Sequence, residues 1–68
     1  MLLDVFVDKE NKNLKVELEE NSVVSSLLEK MEINPVTVIV AKNGEVVTRG
    51  EILKSGDEVK ILSVLSGG

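Results

Sequence analysis

The chain has no histidine, cysteine, tryptophan or tyrosine, and Phe6 is its only aromatic residue. Each gap excludes a chemistry. Without His or Cys there is no imidazole general base, no thiol nucleophile and no imidazole or thiolate metal ligand. A disulfide framework is excluded as well. A domain of 68 residues buries roughly 60% of the surface its unfolded chain would expose, so its core is small. Such a core must rely on tight packing of Val, Leu and Ile, and it leaves little room for an enclosed substrate pocket. A basic footprint is also missing. Eight Lys and Arg against twelve Asp and Glu give a net charge of −4, the wrong sign for binding nucleic acid or an anionic membrane. Met1-Leu2-Leu3 has no basic flank and meets Asp4 at once, so no secretory leader is expected. No apolar run approaches the ~20 residues a membrane span requires. The expectation is a cytoplasmic scaffold handled by larger partners, with no catalytic residues of its own.

What is present falls into clear periods. Leu3, Val5 and Val7 alternate with Asp4 and Phe6, a half-buried strand over residues 2–7. The polar run 8–13 is a connection, and Leu14, Val16 and Leu18 alternate with Lys15 and Glu17 to make the second strand of a hairpin. The period then changes. Asn21 or Ser22 can cap a helix, and Val24, Leu27, Leu28 and Met31 follow at i, i+3, i+4 and i+7. Pro35 pushes Asn34 to an extended conformation and closes the helical stretch. A β-branched strand over 36–41 leads into Asn43-Gly44, a strong tight-turn signal, with a short return strand over 45–48. Residues 50–57 form a connection in which Ile52 and Leu53 are expected to tuck under the sheet, ending in the turn Ser55-Gly56-Asp57. The last strand is expected over 58–65, with Ser66-Gly67-Gly68 as a flexible tail outside a domain of residues 1–65. The order strand, strand, helix, strand, strand, strand specifies an α+β domain of β-grasp architecture. One helix packs on one face of a mixed sheet of about five strands, with the first and last strands side by side at its centre.

On these residues the chain resembles a family. Val38-Ile39-Val40-Ala41-Lys42-Asn43-Gly44-Glu45-Val46-Val47, then Ser55-Gly56-Asp57-Glu58-Val59, then Gly67-Gly68 are similar to the ubiquitin-like sulfur carriers of the ThiS and MoaD group. The likeness extends over the whole chain. Two departures bear on the pathway served and not on the carrier role: Lys42 stands where thiamine-type carriers often run apolar into the asparagine, and the tail reads Ser-Gly-Gly where three glycines are common.

A terminal Gly-Gly suits work by another protein, because backbone without Cβ atoms can pass through a channel too narrow for side chains. The α-carboxylate is ionised at neutral pH and is no acyl donor until it is activated. The resemblance implies how that happens. A ThiF/MoeB-like adenylating enzyme, holding ATP and Mg²⁺, would join Gly68 to AMP, and a sulfur donor would displace AMP to leave a thiocarboxylate. A downstream sulfur-accepting synthase of thiamine, molybdopterin or related biosynthesis would then take the sulfur. This chain would bind no cofactor itself and supply only Gly67 and Gly68.

Strand alternation also predicts a docking face. With Val59 and Ile61 toward the helix, Lys60, Leu62 and Val64 point the other way, as do Phe6, Ile39 and Ala41. If the first, last and third strands are neighbours, these residues form one apolar patch beside the tail, where Ser66 would help solvate the chain end and Phe6 would anchor a partner. Other candidates are weaker. Asp4, Asp8 and Glu10 lack calcium-loop spacing, and Ser25 and Ser26 have no His to activate them. Arg49 is an ordinary surface charge. Two other functions use the same fold: a protein modifier joined through Gly68 to target lysines, and a binding module without covalent chemistry.

Overall fold

The alternation in Leu2–Val7 produces strand β1, with Leu3, Val5 and Val7 buried on one face and Phe6 half-buried on the other. The structure, a computed structural model, describes residues 1–64; the predicted tail and Leu65 lie outside the described residues. A 3₁₀ turn at Asp8–Glu10 and Asn11 in the left-handed region (φ 49°) reverse the chain into β2, Lys12–Glu17. This strand begins two residues before the expected Leu14. Lys12 and Asn13 pair in register with Val7 and Phe6, because an edge strand needs a backbone partner more than it needs apolar side chains. Leu14 lies opposite Val5 yet is 37% exposed.

Helix α1, Val24–Lys30, buries Val24, Leu27 and Leu28, and Met31 is half-buried against the same core. Its cap corrects the sequence expectation. Val23 is the N-cap residue and makes no side-chain bond; Asn21 sits at φ 65° and the Ser22 hydroxyl donates to the Glu19 carbonyl. The N–H groups of Val24 and Ser25 donate instead to the carbonyls of Glu51 and Arg49, each at 3.0 Å. A segment far downstream, Arg49 to Glu51, thus satisfies donors that a local side chain would ordinarily satisfy. At the other end, Ile33 N–H reaches the Leu28 carbonyl and Glu32 N–H the Glu29 carbonyl. This is the Schellman pattern, with Glu32 at φ 57° in the position that usually belongs to glycine.

Pro35–Thr37 form a 3₁₀ turn started by Asn34, whose side chain accepts from the Val36 N–H at 3.0 Å. Strand β3 is therefore Val38–Lys42, beginning two residues after the predicted Val36. Strand β4, Glu45–Val47, returns across a turn in which Asn43 and Gly44 have φ of 51° and 87°, both in the positive region that a two-residue hairpin requires. Strand β5, Glu58–Ser63, closes the sheet, short of the predicted end at Leu65.

The sheet order is β2-β1-β5-β3-β4, with β1 and β5 parallel at the centre and the other pairings antiparallel. The core lies between α1 and the sheet and includes Leu3, Val5, Leu27, Leu28, Leu53, Val59 and Ile61. Of the pair expected to tuck under the sheet, only Leu53 does; Ile52 is 48% exposed. Ile52 makes a β-bridge to Val23, and alternation along that short extended stretch turns its neighbour Leu53 inward.

Candidate functional site

The face of the sheet opposite α1 can be followed across the register. Phe6 on β1 lies beside Lys60 on β5, Lys60 beside Ala41 on β3, and Ala41 beside Val46 on β4. One step along β5, Leu62 lies beside Ile39. Three strands, β1, β5 and β3, thus bring Phe6, Ile39, Ala41, Lys60 and Leu62 together on one face, as alternation requires, and Val64 follows just past the end of β5. Ile39 is 41% and Val64 47% exposed, while Phe6 and Leu62 are half-buried.

Ala41 needs correction. It occupies the predicted face but is buried, flanked in register by Lys60 and Val46. A methyl group between two longer side chains offers a partner little surface. Val46, which sequence reasoning did not place on this face, is 73% exposed there. Its position was available from the hairpin, since a two-residue turn that pairs Lys42 with Glu45 sets Val46 opposite Ala41. Ser66, Gly67 and Gly68 lie outside the described residues.

The end of the sheet remote from Val64 holds a hydrogen-bonded clasp. The Asn43 amide donates to Asp57 Oδ1 at 3.0 Å, and its oxygen accepts from the Glu58 N–H at 2.9 Å. Asp57 Oδ2 accepts from the Lys54 N–H at 2.8 Å, and the Asn43 N–H donates to the Glu58 carbonyl at 2.8 Å. Two turns far apart in sequence are thereby joined into one structure. The Asn43 amide, with help from the Lys54 N–H, holds the Asp57 carboxyl below the ordinary aspartate value. Gly56 has φ 88° in the turn that presents Asp57. Beside the clasp, Lys42 donates to Glu51 Oε2 at 2.6 Å and to the Ile52 carbonyl at 3.3 Å. The Glu51 hydrogen bond raises the Lys42 pKa above the usual lysine value. Lys42 thereby ties β3 to the segment that caps α1, a structural task for the residue that departs from the thiamine-type pattern.

Among the described residues no group of three or more acidic side chains is placed to hold a metal ion, and no helix is long and apolar enough to cross a membrane. Asp4 pairs with Lys15 across β1 and β2. Ser25 and Ser26 are exposed on α1, and Arg49 is exposed after β4.

A five-stranded mixed sheet carrying one helix on a single face, with the outer face left partly apolar, defines a ubiquitin-like β-grasp protein. The chain belongs to the ThiS family, which residues 4–68 match, within the ThiS and MoaD group of ubiquitin-like sulfur carriers, small carrier proteins and not enzymes. It is 32% identical over 54 residues to sulfur carrier protein TtuB of Thermus thermophilus, covering 79% of this chain and 83% of the relative. The crystal structure of thiamine biosynthesis protein ThiS from Geobacter metallireducens is similar over 100% of both chains, with a TM-score of 0.72 and 30% identity. A protein–protein complex of subunits 1 and 2 of molybdopterin-converting factor from Helicobacter pylori contains a chain of the same fold, at TM-score 0.72 and 17% identity, again over 100% of both chains.

Proposed function

We propose that this sulfur carrier works through the carboxylate of Gly68, which a ThiF/MoeB-like partner adenylates and a sulfur donor converts to a thiocarboxylate. In the first step a Gly68 carboxylate oxygen attacks the α-phosphorus of ATP, and pyrophosphate leaves. In the second, the donor's sulfur, delivered as hydrosulfide, attacks the activated carbonyl carbon and loses its proton. AMP departs with the bridging oxygen, and Gly68 is left as a thiocarboxylate. The partner supplies ATP and Mg²⁺; this chain supplies the acyl group and binds no cofactor. The sulfur then passes to a synthase of thiamine, molybdopterin or related biosynthesis, all in the cytoplasm.

The observation that carries this reading is the family match, which runs through Gly67 and Gly68 to residue 68. The outer sheet face supports it. Phe6, Ile39, Leu62 and Val64 form an apolar surface at the end of the sheet where the chain leaves β5, and a partner seated there would have the tail beside it. A free patch of this kind is uncommon on a monomer without a binding role.

Intact mass spectrometry tests the proposal. Incubation with ATP and the host's adenylating enzyme is expected to give the acyl adenylate, and a sulfide source is expected to replace one oxygen by sulfur. An unchanged mass under both conditions defeats the reading, and lysine-linked conjugates in place of the thiocarboxylate would mark a protein modifier. Phe6→Ser is expected to weaken binding to the adenylating enzyme tenfold or more in a titration, in line with loss of an aromatic anchor worth about 2 kcal/mol.

A further inference from the structure

Strand β2 forms one edge of the sheet and carries Lys12, Lys15 and Glu17, charges of the kind that keep an edge from pairing with another chain. Strand β4 forms the other edge with Glu45, Val46 and Val47, and Val46 is 73% exposed. A two-residue turn makes Lys42 and Glu45 a hydrogen-bonded pair, and such pairs alternate along an antiparallel ladder, so Val47 turns its N–H and C=O to Val40. The bonds from Asn43 N–H to Glu58 and from Val64 N–H to Thr37 fix the same phase, with odd-numbered residues of this segment bonding toward β5 and even-numbered ones toward β4. Val46 therefore turns its own N–H and C=O away from β3, to the open edge. Beside that edge lies a groove of about 440 Å³ whose lining includes Val24, Leu28, Val38, Val40, Val47 and Arg49.

The residues of this edge fit a copy of themselves. Glu45-Val46-Val47-Thr48-Arg49 runs from acid to base. Laid antiparallel against itself about Val47, the segment sets Glu45 opposite Arg49 of the second copy at both ends. Val46 then lies opposite Thr48 of the second copy, and Val47 opposite its own equivalent. Centring on Val46 instead would set Glu45 against Val47 and leave both charges unmatched. In the first register the outward N–H and C=O of Val46 meet the main chain of Thr48, a hydrogen-bonded pair in the correct phase. The Thr48 carbonyl accepts from the Glu51 N–H at 3.2 Å and has a second lone pair for the incoming donor. Arg49 lines the groove together with Val47, which puts it on the side of the strand where alternation puts Glu45. Among the described residues the ion pairs are Asp4–Lys15 and Lys42–Glu51, and neither Glu45 nor Arg49 is in one.

We propose that β4 pairs with β4 of a second copy of this chain, antiparallel about Val47, so that two five-stranded sheets become one continuous sheet. The two Glu45–Arg49 pairs select the register, and the two Val47 side chains meet at the mouths of their grooves. The paired strands are short, so the association is weak and reversible, at the small end of specific interfaces. Phe6 on β1 and Lys60 on β5 are separated from the paired edge by β3 and β4, and the dimer leaves both open to another protein. The pairing makes no use of the tail and stands apart from the carrier role.

Sedimentation equilibrium and amide exchange on the whole chain test the pairing. The weight-average mass is expected to rise from 7.4 kDa toward twice that value as concentration goes from micromolar to millimolar. The Val46 N–H is expected to gain protection from exchange in step with the dimer. Glu45→Arg and Arg49→Glu each set like charges opposite one another at two places, and each is expected to weaken self-association about tenfold. Mixed in equal amounts, the two variants restore opposite charges at both places, and the mixture is expected to recover the association that each has lost. That recovery would also show that both variants are folded. A chain that stays monomeric at millimolar concentration overturns the proposal. Dimers that leave the Val46 N–H unprotected, or a mixture that associates no better than either variant alone, overturn it equally.

Discussion

The two ends of the sheet are built by different means. At the end where β3 turns into β4 and β5 begins, side chains do the joining: Asn43 bonds Asp57 and Glu58, Asp57 bonds Lys54, and Lys42 bonds Glu51. At the end where β5 finishes, among the described residues the chain is held by the backbone bond from Val64 to Thr37, beside a groove and a helix terminus that forces Glu32 into a left-handed conformation. The difference teaches what the motifs of the resemblance are for. Asn43-Gly44 and Gly56-Asp57 are joined to each other by side-chain hydrogen bonds. They clamp one end of the sheet, and among the described residues no comparable side-chain clasp joins β5 at its other end.

If the ends are divided in this way, damage to each should have a separate signature. The largest effect is expected at the tail. Adding residues after Gly68 should abolish thiocarboxylate formation, seen by intact mass, while thermal unfolding of the domain is unchanged. Next comes the clasp. Asn43→Ala removes the partner of the Asp57 carboxylate and of the Glu58 N–H, at a cost of about 1–2 kcal/mol in denaturant unfolding. Charging of Gly68 by the partner enzyme should survive at temperatures where the variant is folded. A variant that lost charging without losing stability would show that the clasp touches the partner, and the division would fail.

The clasp should also respond to acid. The folded-state pKa of Asp57 is depressed, so its stabilisation is present above the unfolded value of about 3.9 and is lost as pH falls through the lower folded value. Unfolding midpoints measured as pH falls through and below that range should drop more steeply for the unmodified chain than for Asp57→Asn. Equal slopes would remove Asp57 from the account. Lys42 has the opposite sign: its pKa is raised, so its contribution is complete below the unfolded lysine value and is lost as pH rises through the folded one. The smallest effect belongs to the helix terminus at the tail end. Glu32→Gly relieves a positive φ and is expected to stabilise the domain by about 0.5–1 kcal/mol in the same unfolding experiment. A loss of stability there would mean that the Glu32 side chain contributes more than its backbone costs.

Most of the architecture was legible in short-range pattern. The alternation of Leu3, Val5 and Val7, the helical spacing of Val24, Leu27 and Leu28, and the turn at Asn43-Gly44 each state a local preference that the fold obeys. The membership of the outer sheet face was legible for the same reason, since alternation assigns Phe6, Ile39, Lys60 and Leu62 to one side without knowledge of their neighbours. Errors fell where a distant segment changes the outcome. The α1 donors that Asn21 or Ser22 could have satisfied are taken by carbonyls of Arg49 and Glu51, and no local feature of residues 21–24 reports this. Ala41 is on the predicted side but is covered by Lys60 and Val46, which come from two other strands.

Residue order alone therefore determined which segments are strands and which is the helix, and which side each strand residue faces, because those choices are governed by a period of two or 3.6 along the chain. It also determined that catalysis by imidazole or thiol is closed to this protein, because the residues are absent. The tertiary structure decided which turns meet, so that Asn43 finds Asp57, and which loop caps α1. It also decided that Phe6, Lys60, Leu62 and Ile39 share one outer face across β1, β5 and β3. Those outcomes depend on contacts between residues far apart in sequence, and packing of the helix against the sheet is what brings them within bonding distance.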